Sequence, residues 1–555
     1  MLKKIIIFST NLILILCLAT GCSNKIVDPD KDDNNFDSVS KYDPEIELTV
    51  PGVPDSQEES DYDYLNNQWV DVYKNALGIN ITSKWDADTS TDGVQKLNEQ
   101  LAIGVVPDIM IGLSRSQFDF VVRLGLAADL TDLFDEYATP LTKEILNSDG
   151  GHALRYSTID GKLYALPYVY GYTDNILMMW IRTDWLENLG MEYPRTSDEL
   201  YMVLDAFVNK DPDQDGVNNT VGLCTSNSLY EIGSIFNMFG AQPFWSWYLN
   251  EDNVLRYSTV SYTDNIKKSL AYMQRLYKEN LMYSEFGIMD SAEYYKMFAD
   301  GKAGIAFEYK YFPLQVEEGE IQNNINANWQ AFPIPTGLEN NEPARPFSYH
   351  GPAAYGVISS KCKNPEAAIK MLNLYTEIKF SENKEQYYLQ YIKDEKGYNI
   401  DGFALFSTAR ANDLSEFEHV AEAVEKQDPS QLKHGEKLRY DACMKYLEGN
   451  RKNWLDYKLY GPGNVSTTVL QYYRNSIIPF FSDFDGPNTT SMHLNIAMLN
   501  SKWIKTCTRI IMSGEAVNNY DDYVEDWYAF GGDKIEEEAN AEYLKAASSQ
   551  QGIKK

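Results

Sequence analysis

Between residues 44 and 140 the spacing of apolar positions switches between strand and helix periods. Residues 46–50 alternate and end at Pro51, which predicts a first strand. Residues 65–77 carry apolar side chains at helical spacing and stop at Gly78, a frequent C-terminal cap. Further elements are expected at 79–85 (strand), 92–104 (helix) and 107–112 (a nearly all-apolar strand). This order predicts βαβ units and a parallel sheet covered on both faces.

A row of tyrosines lies in the stretch from Gly161 to Gly190. Tyr168, Tyr170 and Tyr172 alternate with apolar or small residues, so an extended backbone places their rings on one face. Rings with wet hydroxyls suit a partly open binding surface. An ordinary aromatic strand buried in a core explains the pattern equally well.

The chain begins with a segment that resembles a bacterial lipoprotein signal peptide. Lys3 and Lys4 precede an apolar run that is shorter than the roughly 20 residues of a membrane-spanning helix. Small residues then lead to Cys22, which in such signals carries the lipid, palmitate included. A plain secretory signal over 1–21 is the alternative. Residues 22–43 are polar and acidic and predict a flexible tether, so we expect export and anchoring on the extracytoplasmic face of the cell membrane.

The amino-acid composition limits the classes of ligand and partner that the protein could bind. The net charge of −32 argues against nucleic acid and anionic lipid surfaces. The 10 Trp and 40 Tyr favour a neutral ligand with apolar faces. The body after the tether is too long for one core and indicates at least two lobes. The cysteines are widely spaced and form no zinc pattern; disulfides and buried free thiols both stay open.

An acidic loop follows a predicted helix and has the first half of an EF-hand pattern. Asp211, Asp213 and Asp215 stand two apart before Gly216. This spacing lets a tight turn wrap carboxylate oxygens around Ca²⁺. The predicted metal ligands are Asp211, Asp213, Asp215, Val217 and Asn219.

The second half of the EF-hand pattern is incomplete. The twelfth position is Gly222 instead of a bidentate glutamate, and Glu231 would have to supply that carboxylate from further along the chain. A solvated acidic turn at the end of the helix is the alternative.

Two aromatic clusters are candidates for sugar contacts. Trp245 and Trp247 belong to a run of four aromatics in five residues, which we expect in an exposed loop. Pyranose rings have apolar faces that stack on indoles. The alternative is a loop folded back on its own lobe. Tyr309 and Tyr311 end a predicted strand and form a second pair.

Polar candidates come from two other segments. Arg115 follows the strand at 107–112, and the carboxyl ends of parallel strands are where α/β sheets bind ligands. Tyr349 lies in a loop before a predicted strand. For the neighbouring His350 we favour a structural role in the loop over a contact with ligand.

Catalytic motifs are not evident. The five histidines have no metal or triad spacing, and G-x-S-x-G, P-loop and G-x-G-x-x-G patterns are absent from the sequence. The many acids are compatible with a glycosidase pair, so a surface glycoside hydrolase is one alternative. A helical glycan receptor of the SusD type is another, and the βαβ start counts against it.

The order of several segments resembles the extracellular solute-binding proteins of ABC carbohydrate importers, in their large oligosaccharide branch. These segments are PDIMIG (107–112), GLAADLTDLFDEY (125–137), DGKLYALP (160–167), MFADGKAGIAF (297–307), FPIPTG (332–337) and the acidic helical C-terminus (520–543). They cover most of the chain.

The resemblance implies a two-lobe α/β fold in which each lobe holds a mainly parallel sheet and the chain crosses between lobes several times. Lobe 1 would comprise 44–167 and 334–400, and lobe 2 would comprise 168–333 and 401–555. The protein would be a monomer, not an enzyme, that delivers an oligosaccharide to a membrane permease. It would hold no catalytic cofactor. Taken together with the residue patterns above, the candidate ligand-binding residues are Arg115, Tyr168, Tyr170, Tyr172, Trp245, Trp247, Tyr309, Tyr311 and Tyr349.

Overall fold

The computed structural model describes residues 40–51, 67–84, 98–171, 175–242, 246–316, 326–349, 351–381, 401–411 and 413–553, together with positions 65, 173, 244, 319, 321, 324 and 391. The predicted signal peptide, Cys22 and the tether up to residue 39 lie outside the described residues. So do Tyr172, Trp245 and His350.

The described chain is rich in helix, with 49% helix and 13% strand. The strands are β1 (Ile46–Val50), β2 (Ile79–Ser83), β3 (Ile109–Leu113), β4 (Thr158–Ile159), β5 (Lys162–Leu163), β6 (Leu166–Val169), β7 (Met178–Arg182), β8 (Trp247–Leu249), β9 (Leu255–Tyr257), β10 (Ile305–Glu308), β11 (Trp329–Phe332) and β12 (Pro352–Ile358).

The helices up to the middle of the chain are α1 (Gln68–Val72), α2 (Arg115–Arg123), α3 (Thr131–Tyr137), α4 (Pro140–Leu146), α5 (His152–Tyr156), α6 (Thr183–Leu189), α7 (Ser197–Asn209), α8 (Gly233–Met238), α9 (Ser258–Ser261), α10 (Thr263–Lys278), α11 (Ser291–Ala299) and α12 (Pro313–Val316). The later helices are α13 (Glu366–Phe380), α14 (Ser415–Lys426), α15 (His434–Leu447), α16 (Trp454–Tyr460), α17 (Gln471–Ser476), α18 (Thr490–Ser513), α19 (Tyr520–Ala529) and α20 (Gly532–Ile553).

Local sequence signals account for many element ends. Asn67 caps α1, which continues as one π-helical segment, Tyr73–Leu77, and ends at Gly78. Gly78 has φ +68°, the left-handed conformation that glycine adopts without a Cβ penalty. Thr196 and Glu199 form a capping box at the start of α7, which satisfies backbone donors that the first turn leaves free.

Lobe 1 is built on the sheet β3–β12–β6, with the parallel pair β1–β2 beside β3. Strand β12 is antiparallel to both its neighbours. Helix α2 packs against this sheet through Phe118, whose ring stacks on that of Tyr355 at 4.5 Å. Burial of such apolar faces from water is the main favourable contribution to this packing.

Lobe 2 is built on the sheet β10–β7–β11, in which both outer strands run antiparallel to β7. All five residues of β7 are buried because the sheet is covered on both faces. Met179 and Ile181 point into one apolar core, and Met178 and Trp180 into another.

The two-lobe α/β architecture agrees with expectation, but the strand directions differ from it. Among the described strands, β1 and β2 form the parallel pair, and every pairing to β7 or β12 is antiparallel. The path of the chain between the lobes explains why these strands are antiparallel. β12 enters lobe 1 from the end at which β6 leaves it, so the two neighbours must run in opposite directions.

Two later segments join the lobes. Residues 401–411 pack on lobe 1, where the Leu405 amide donates to the Tyr73 hydroxyl and the Ala411 amide donates to the Ser148 hydroxyl. Helix α14 then belongs to the lobe 2 core through Phe417. Residues 477–489, which we call the strap, run between α17 and α18 and contact both lobes.

Two general properties bear on the export hypothesis. Cys224, Cys362, Cys443 and Cys507 are free thiols in the described structure, which favours the buried-thiol alternative over disulfides. Within the described part of the chain, no helix combines the length and apolar composition that crossing a bilayer requires.

Candidate functional site

The chain crossings define which end of each sheet faces the other lobe. The chain leaves lobe 1 at the end of β6 and enters lobe 2 at the start of β7. In lobe 1 the residues paired at this crossing end are Val169 and Pro352. In lobe 2 Met178 pairs with Glu308, and Met179 pairs with Phe332. We call these two places the crossing ends, and ligands in such folds lie between them.

Tyr168 and Tyr170 stand at the crossing end of lobe 1, where the sequence placed them. Both are partly buried, and their ring centroids are 5.7 Å apart. Tyr168 also lines a cavity of about 290 Å³ between the sheet of lobe 1 and residues 402–407. Phe406 forms part of its wall and packs against Gly356, where any Cβ would be 2.6 Å from the ring.

Arg115 is held tightly by its own lobe. Ser114 caps α2 through a capping box, which fixes Arg115 at the first helical position. Its guanidinium donates to the Tyr156 carbonyl at 2.7 Å and pairs with Asp119 at 3.0 Å. A weaker bond of 3.3 Å reaches the Tyr355 hydroxyl. Of its guanidinium nitrogens, Nη2 is buried without a hydrogen-bond partner.

Tyr349 joins the group around Arg115. Its ring centroid is 6.0 Å from that of Tyr156, and its hydroxyl lies near the backbone of Gly351. Burial raises the pKa of Tyr349, and the neighbouring Tyr355 raises it further, so the hydroxyl stays protonated at neutral pH. The structure therefore brings Arg115 and Tyr349, which are far apart in sequence, to the same crossing end.

On the lobe 2 side, Tyr309 directly follows β10. Its hydroxyl shares a hydrogen bond with that of Tyr230, and its carbonyl accepts a bond of 3.0 Å from Trp180 Nε1. Tyr311 lies two residues further and is 44% exposed. The two tyrosines therefore differ in environment: the Tyr309 hydroxyl is bonded to Tyr230, whereas the Tyr311 ring is partly open to solvent.

Behind Tyr309 lies a buried acidic pair that the sequence analysis missed. Glu308 ends β10 and is 4% exposed, and Glu231 lies before α8 at 7%. Burial raises the pKa of Glu308 to about 7, with the charge of Glu231 as the second cause. The sequence did contain a signal for this pair: Glu308 is an acidic residue at the end of an apolar strand. Such residues are uncommon because a buried charge is costly.

The expectation that Trp247 lies in an exposed loop is wrong. It lies in β8 and is 5% exposed, and its ring packs edge-on against Tyr257 with centroids 5.1 Å apart. Phe484 of the strap covers another side at 5.6 Å. Trp247 is therefore packed within the body of the protein, where burial of its large indole is favourable.

The acidic loop has geometry suited to a cation. One carboxylate oxygen each from Asp211, Asp213 and Asp215 lies within 4.8 Å of the others. Positive φ angles at Asp211 (+47°), Gln214 (+58°) and Gly216 (+85°) wind the chain tightly. Asp211 Oδ1 and Asp213 Oδ1 are buried without a hydrogen-bond partner. Unpaired buried carboxylate oxygens are costly unless a cation or proton meets them.

The remaining predicted ligands have different environments. Asp215 accepts from the Val217 amide at 2.7 Å and from the Asn219 side chain at 3.2 Å. The expectation for Glu231 is wrong, because its Oε2 accepts from Thr225 and Ser226 and the acidic loop does not include it. Burial, followed by the charge of Asp215, raises the pKa of Asp213.

Curated proteins with similar sequences match part of this chain. Lipoprotein LipO of Bacillus subtilis is 28% identical over 302 residues, which is 53% of this chain and 56% of that protein. The polygalacturonan/rhamnogalacturonan-binding protein YtcQ of the same organism is 31% identical over 216 residues, 38% of this chain and 40% of its own. The chain thus spans about half the length of the curated relatives it matches.

Similarity of fold extends further. The substrate-binding protein FusA of S. pneumoniae in complex with kestose superposes with a TM-score of 0.60 at 18% identity, over 91% of this chain and 100% of that one. An EF-hand mutant of FusA with fructo-nystose gives 0.59 at 17%, with the same coverage. The sequence model described as bacterial extracellular solute-binding protein matches residues 56–379. The chain therefore belongs to the family of bacterial extracellular solute-binding proteins.

Proposed function

We propose that this protein is the substrate-binding component of an ABC importer and captures a neutral oligosaccharide between its two lobes. The observation that carries the proposal is the gathering of Tyr168, Tyr170 and Tyr349 at one crossing end and Tyr309 at the other. Tyrosines offer apolar faces for pyranose rings and hydroxyls for their polar edges. FusA was seen with kestose, a neutral sugar, which supports a neutral ligand. YtcQ is a polygalacturonan/rhamnogalacturonan-binding protein, which supports a saccharide ligand but not its neutrality.

Capture would proceed by closure of the lobes around the sugar. A ligand that contacts both crossing ends binds the closed form better and shifts the open–closed equilibrium toward it. The permease would then receive the closed form. In this proposal lobe 1 extends to about residue 411, since 405–411 are bonded to it, and the chain returns from lobe 2 at about 345–351.

The lipid anchor and the calcium site complete the proposal. Cys22 would carry the lipid and residues 22–39 would serve as the tether, so that a monomeric body works at the membrane surface. Calcium would bind Asp211, Asp213 and Asp215 through the unpaired carboxylate oxygens and stabilise this loop. It would take no part in chemistry, because the protein acts as a binder and not as a glycoside hydrolase.

The test is a thermal-shift screen of the mature protein against neutral, acidic and amino oligosaccharides, followed by calorimetry. We expect a neutral oligosaccharide to raise the melting temperature. Tyr170→Ala should weaken its binding at least 10-fold, whereas Tyr528→Ala, at a 44% exposed tyrosine on α19, should leave binding unchanged. Release of reducing ends by the purified protein, or stabilisation by peptides alone, would overturn the proposal.

A further inference from the structure

A cavity of about 690 Å³ lies on lobe 2 between α18 and two turns, one at Asn227 and one at Gly287. Its volume is within the range of roughly 300–1,000 Å³ that is typical of small-molecule sites. Among the described residues, its lining includes none of the candidate sugar-binding side chains. The polar lining residues are Asn227, Asn500, Ser501, Lys505, Thr508 and Arg509.

The two turns stand at the crossing end of lobe 2. Residues 221–223 and 282 extend the sheet of lobe 2 beyond β10 through parallel bridges. They therefore run in the direction of β10, toward Glu308 and the crossing end. The turns at Asn227 and Gly287 follow a few residues later, at the carboxyl ends of these segments. Such carboxyl ends are where α/β sheets bind ligands.

One face of α18 supplies the cavity with hydrogen-bond donors. Ser501, Lys505 and Thr508 are spaced by four and three residues, so they lie on the same side of the helix. Within the part of the chain that the structure describes, the Lys505 ammonium has no ion pair, and neither hydroxyl has a hydrogen bond. These three polar groups are therefore available to a ligand in the cavity.

Asn500 is held so that its amide nitrogen is the group without a partner. Its Oδ1 accepts a hydrogen bond of 2.9 Å from the hydroxyl of Tyr257. The ring of Tyr257 is buried and stacks on Trp527 with centroids 4.4 Å apart, which fixes the hydroxyl. Because the carbonyl oxygen of Asn500 is used in this way, the side chain contributes the donor Nδ2 to the lining.

Both charged residues of the lining are cations, although the chain has 81 acidic and 49 basic residues. Arg509 pairs with Glu515 through Nε at 3.4 Å, and its two terminal nitrogens have no partner among the described residues. Arginine and lysine bind phosphate oxygens through short, charge-assisted hydrogen bonds. A lining rich in donors and positive charge therefore favours an oxyanion over a neutral ligand.

We propose that this cavity binds the phosphate group of a soluble sugar or polyol phosphate. Lys505 and Arg509 contact the phosphate oxygens, and Asn500 donates a further hydrogen bond. A phosphate monoester has a charge of about −1.5 to −2 at pH 7, which the two cations balance. Anionic lipid is the other source of phosphate, but the net charge of −32 repels an anionic membrane. The site is independent of oligosaccharide capture between the lobes.

The experiment is calorimetry on the mature protein at low salt with glucose 6-phosphate, glucuronate and glucose. These ligands share one ring and differ in the group at carbon 6. We expect glucose 6-phosphate to bind at one site per chain and roughly 10-fold more tightly than glucuronate or glucose. Lys505→Gln removes a charged donor and should weaken glucose 6-phosphate binding roughly 10-fold.

Asn500→Asp is the sharper variant. It keeps an oxygen for the Tyr257 hydroxyl and replaces the donor Nδ2 by a negatively charged oxygen. Repulsion between the carboxylate and the phosphate should weaken binding roughly 100-fold. Asn253→Asp is its control, because it adds the same charge at an exposed position between β8 and β9. Lys302→Gln removes an exposed lysine elsewhere on lobe 2 and is the control for Lys505→Gln.

Both controls should bind glucose 6-phosphate as wild type does, and thermal unfolding checks the folding of each variant. Equal affinity of wild type, Lys505→Gln and Asn500→Asp overturns the proposal. Binding of glucose or glucuronate as tight as that of glucose 6-phosphate overturns it as well. Unlipidated protein that sediments with phosphatidylglycerol vesicles but not with phosphatidylcholine vesicles, and does not bind glucose 6-phosphate, overturns it in favour of a lipid headgroup.

Discussion

The hydroxyl of Tyr156, at the end of α5, donates a hydrogen bond of 3.1 Å to the backbone carbonyl of Phe484. The neighbouring residues are also paired: Arg155, which precedes Tyr156, forms an ion pair of 3.0 Å with Asp485, which follows Phe484. The strap is bound to lobe 2 as well, because the Asp483 amide donates to the Trp247 carbonyl at 2.8 Å. It therefore ties α5 of lobe 1 to β8 of lobe 2 independently of the chain crossings.

Loss of the Tyr156 hydroxyl should destabilise the protein measurably. Tyr156→Phe leaves the ring in place but removes the stronger of two donors to the Phe484 carbonyl, the other being the Ser482 hydroxyl at 3.3 Å, and should cost about 1 kcal/mol. Urea unfolding followed by circular dichroism measures this. Tyr457→Phe is the matched control, because its ring stacks on Tyr446 and its hydroxyl has no hydrogen bond in the described structure. Equal effects of the two substitutions would contradict a role for the strap contact.

Trp247 should matter for stability and not for sugar binding. Truncating this buried ring to alanine opens a cavity between Tyr257 and Phe484 and should cost about 3–5 kcal/mol. The midpoint of urea unfolding should fall, and the dissociation constant of the protein that stays folded should stay within a factor of two. A large loss of affinity with unchanged stability would restore the original hypothesis of a stacking residue.

Much of the fold followed from sequence because the relevant signals are local. Strand β1 begins and ends where alternation predicted, and Gly78 closes the first helical segment with a positive φ. Such features depend on a few neighbouring residues. The direction of β12 depends on where the chain re-enters lobe 1, more than 180 residues after it left at β6, and no local pattern encodes that.

The positions of the candidate site residues were predictable in part for the same reason. Tyr168 borders the first chain crossing, which the order of segments predicted. Tyr309 borders no crossing; it directly follows β10, which pairs with β7 at the crossing end of lobe 2. Trp247 was misplaced because aromatic content alone does not distinguish an exposed loop from a buried strand. Glu308 was missed because its proximity to Glu231 arises only when β10 and the turn before α8 come together.

Calcium should stabilise the acidic loop. Addition of 1 mM Ca²⁺ to chelator-treated protein should raise the melting temperature by several degrees, because a ligand that binds only the native state adds to its stability. Asp213→Ala removes an unpaired buried oxygen from the candidate site and should abolish the shift.

Glu231→Gln is the informative control for this prediction. Glu231 lies with Thr225 and Ser226 and outside the acidic loop, so the calcium-induced shift should persist in this variant. Calorimetry on the same samples should give one site per chain. A shift that survives in Asp213→Ala but disappears in Glu231→Gln would place the cation at the acidic pair instead.

The pH dependence of stability should report the proton on Glu308. Its pKa rises from the ordinary value of 4.5 to about 7 in the folded protein, chiefly because it is buried. Between these two values the native state holds a proton that the unfolded chain has lost, so the free energy of unfolding falls as pH rises. The fall is complete above pH 7 and amounts to as much as about 3 kcal/mol.

Glu308→Gln replaces the carboxyl with an amide that does not titrate. The difference in free energy of unfolding between variant and wild type therefore isolates the contribution of Glu308 from that of all other titrating groups. We expect the two proteins to have similar free energies of unfolding near pH 4.5. From pH 4.5 to 7 the free energy of unfolding of the variant should rise relative to that of wild type, and at pH 8 the difference should stay constant. Urea unfolding in steps of half a pH unit measures the difference, and Glu339→Gln should follow wild type throughout because that side chain is exposed. A difference that does not change between pH 4.5 and pH 8 would mean that Glu308 is ionised across the whole range, and the buried acidic pair would then need a cation to balance it.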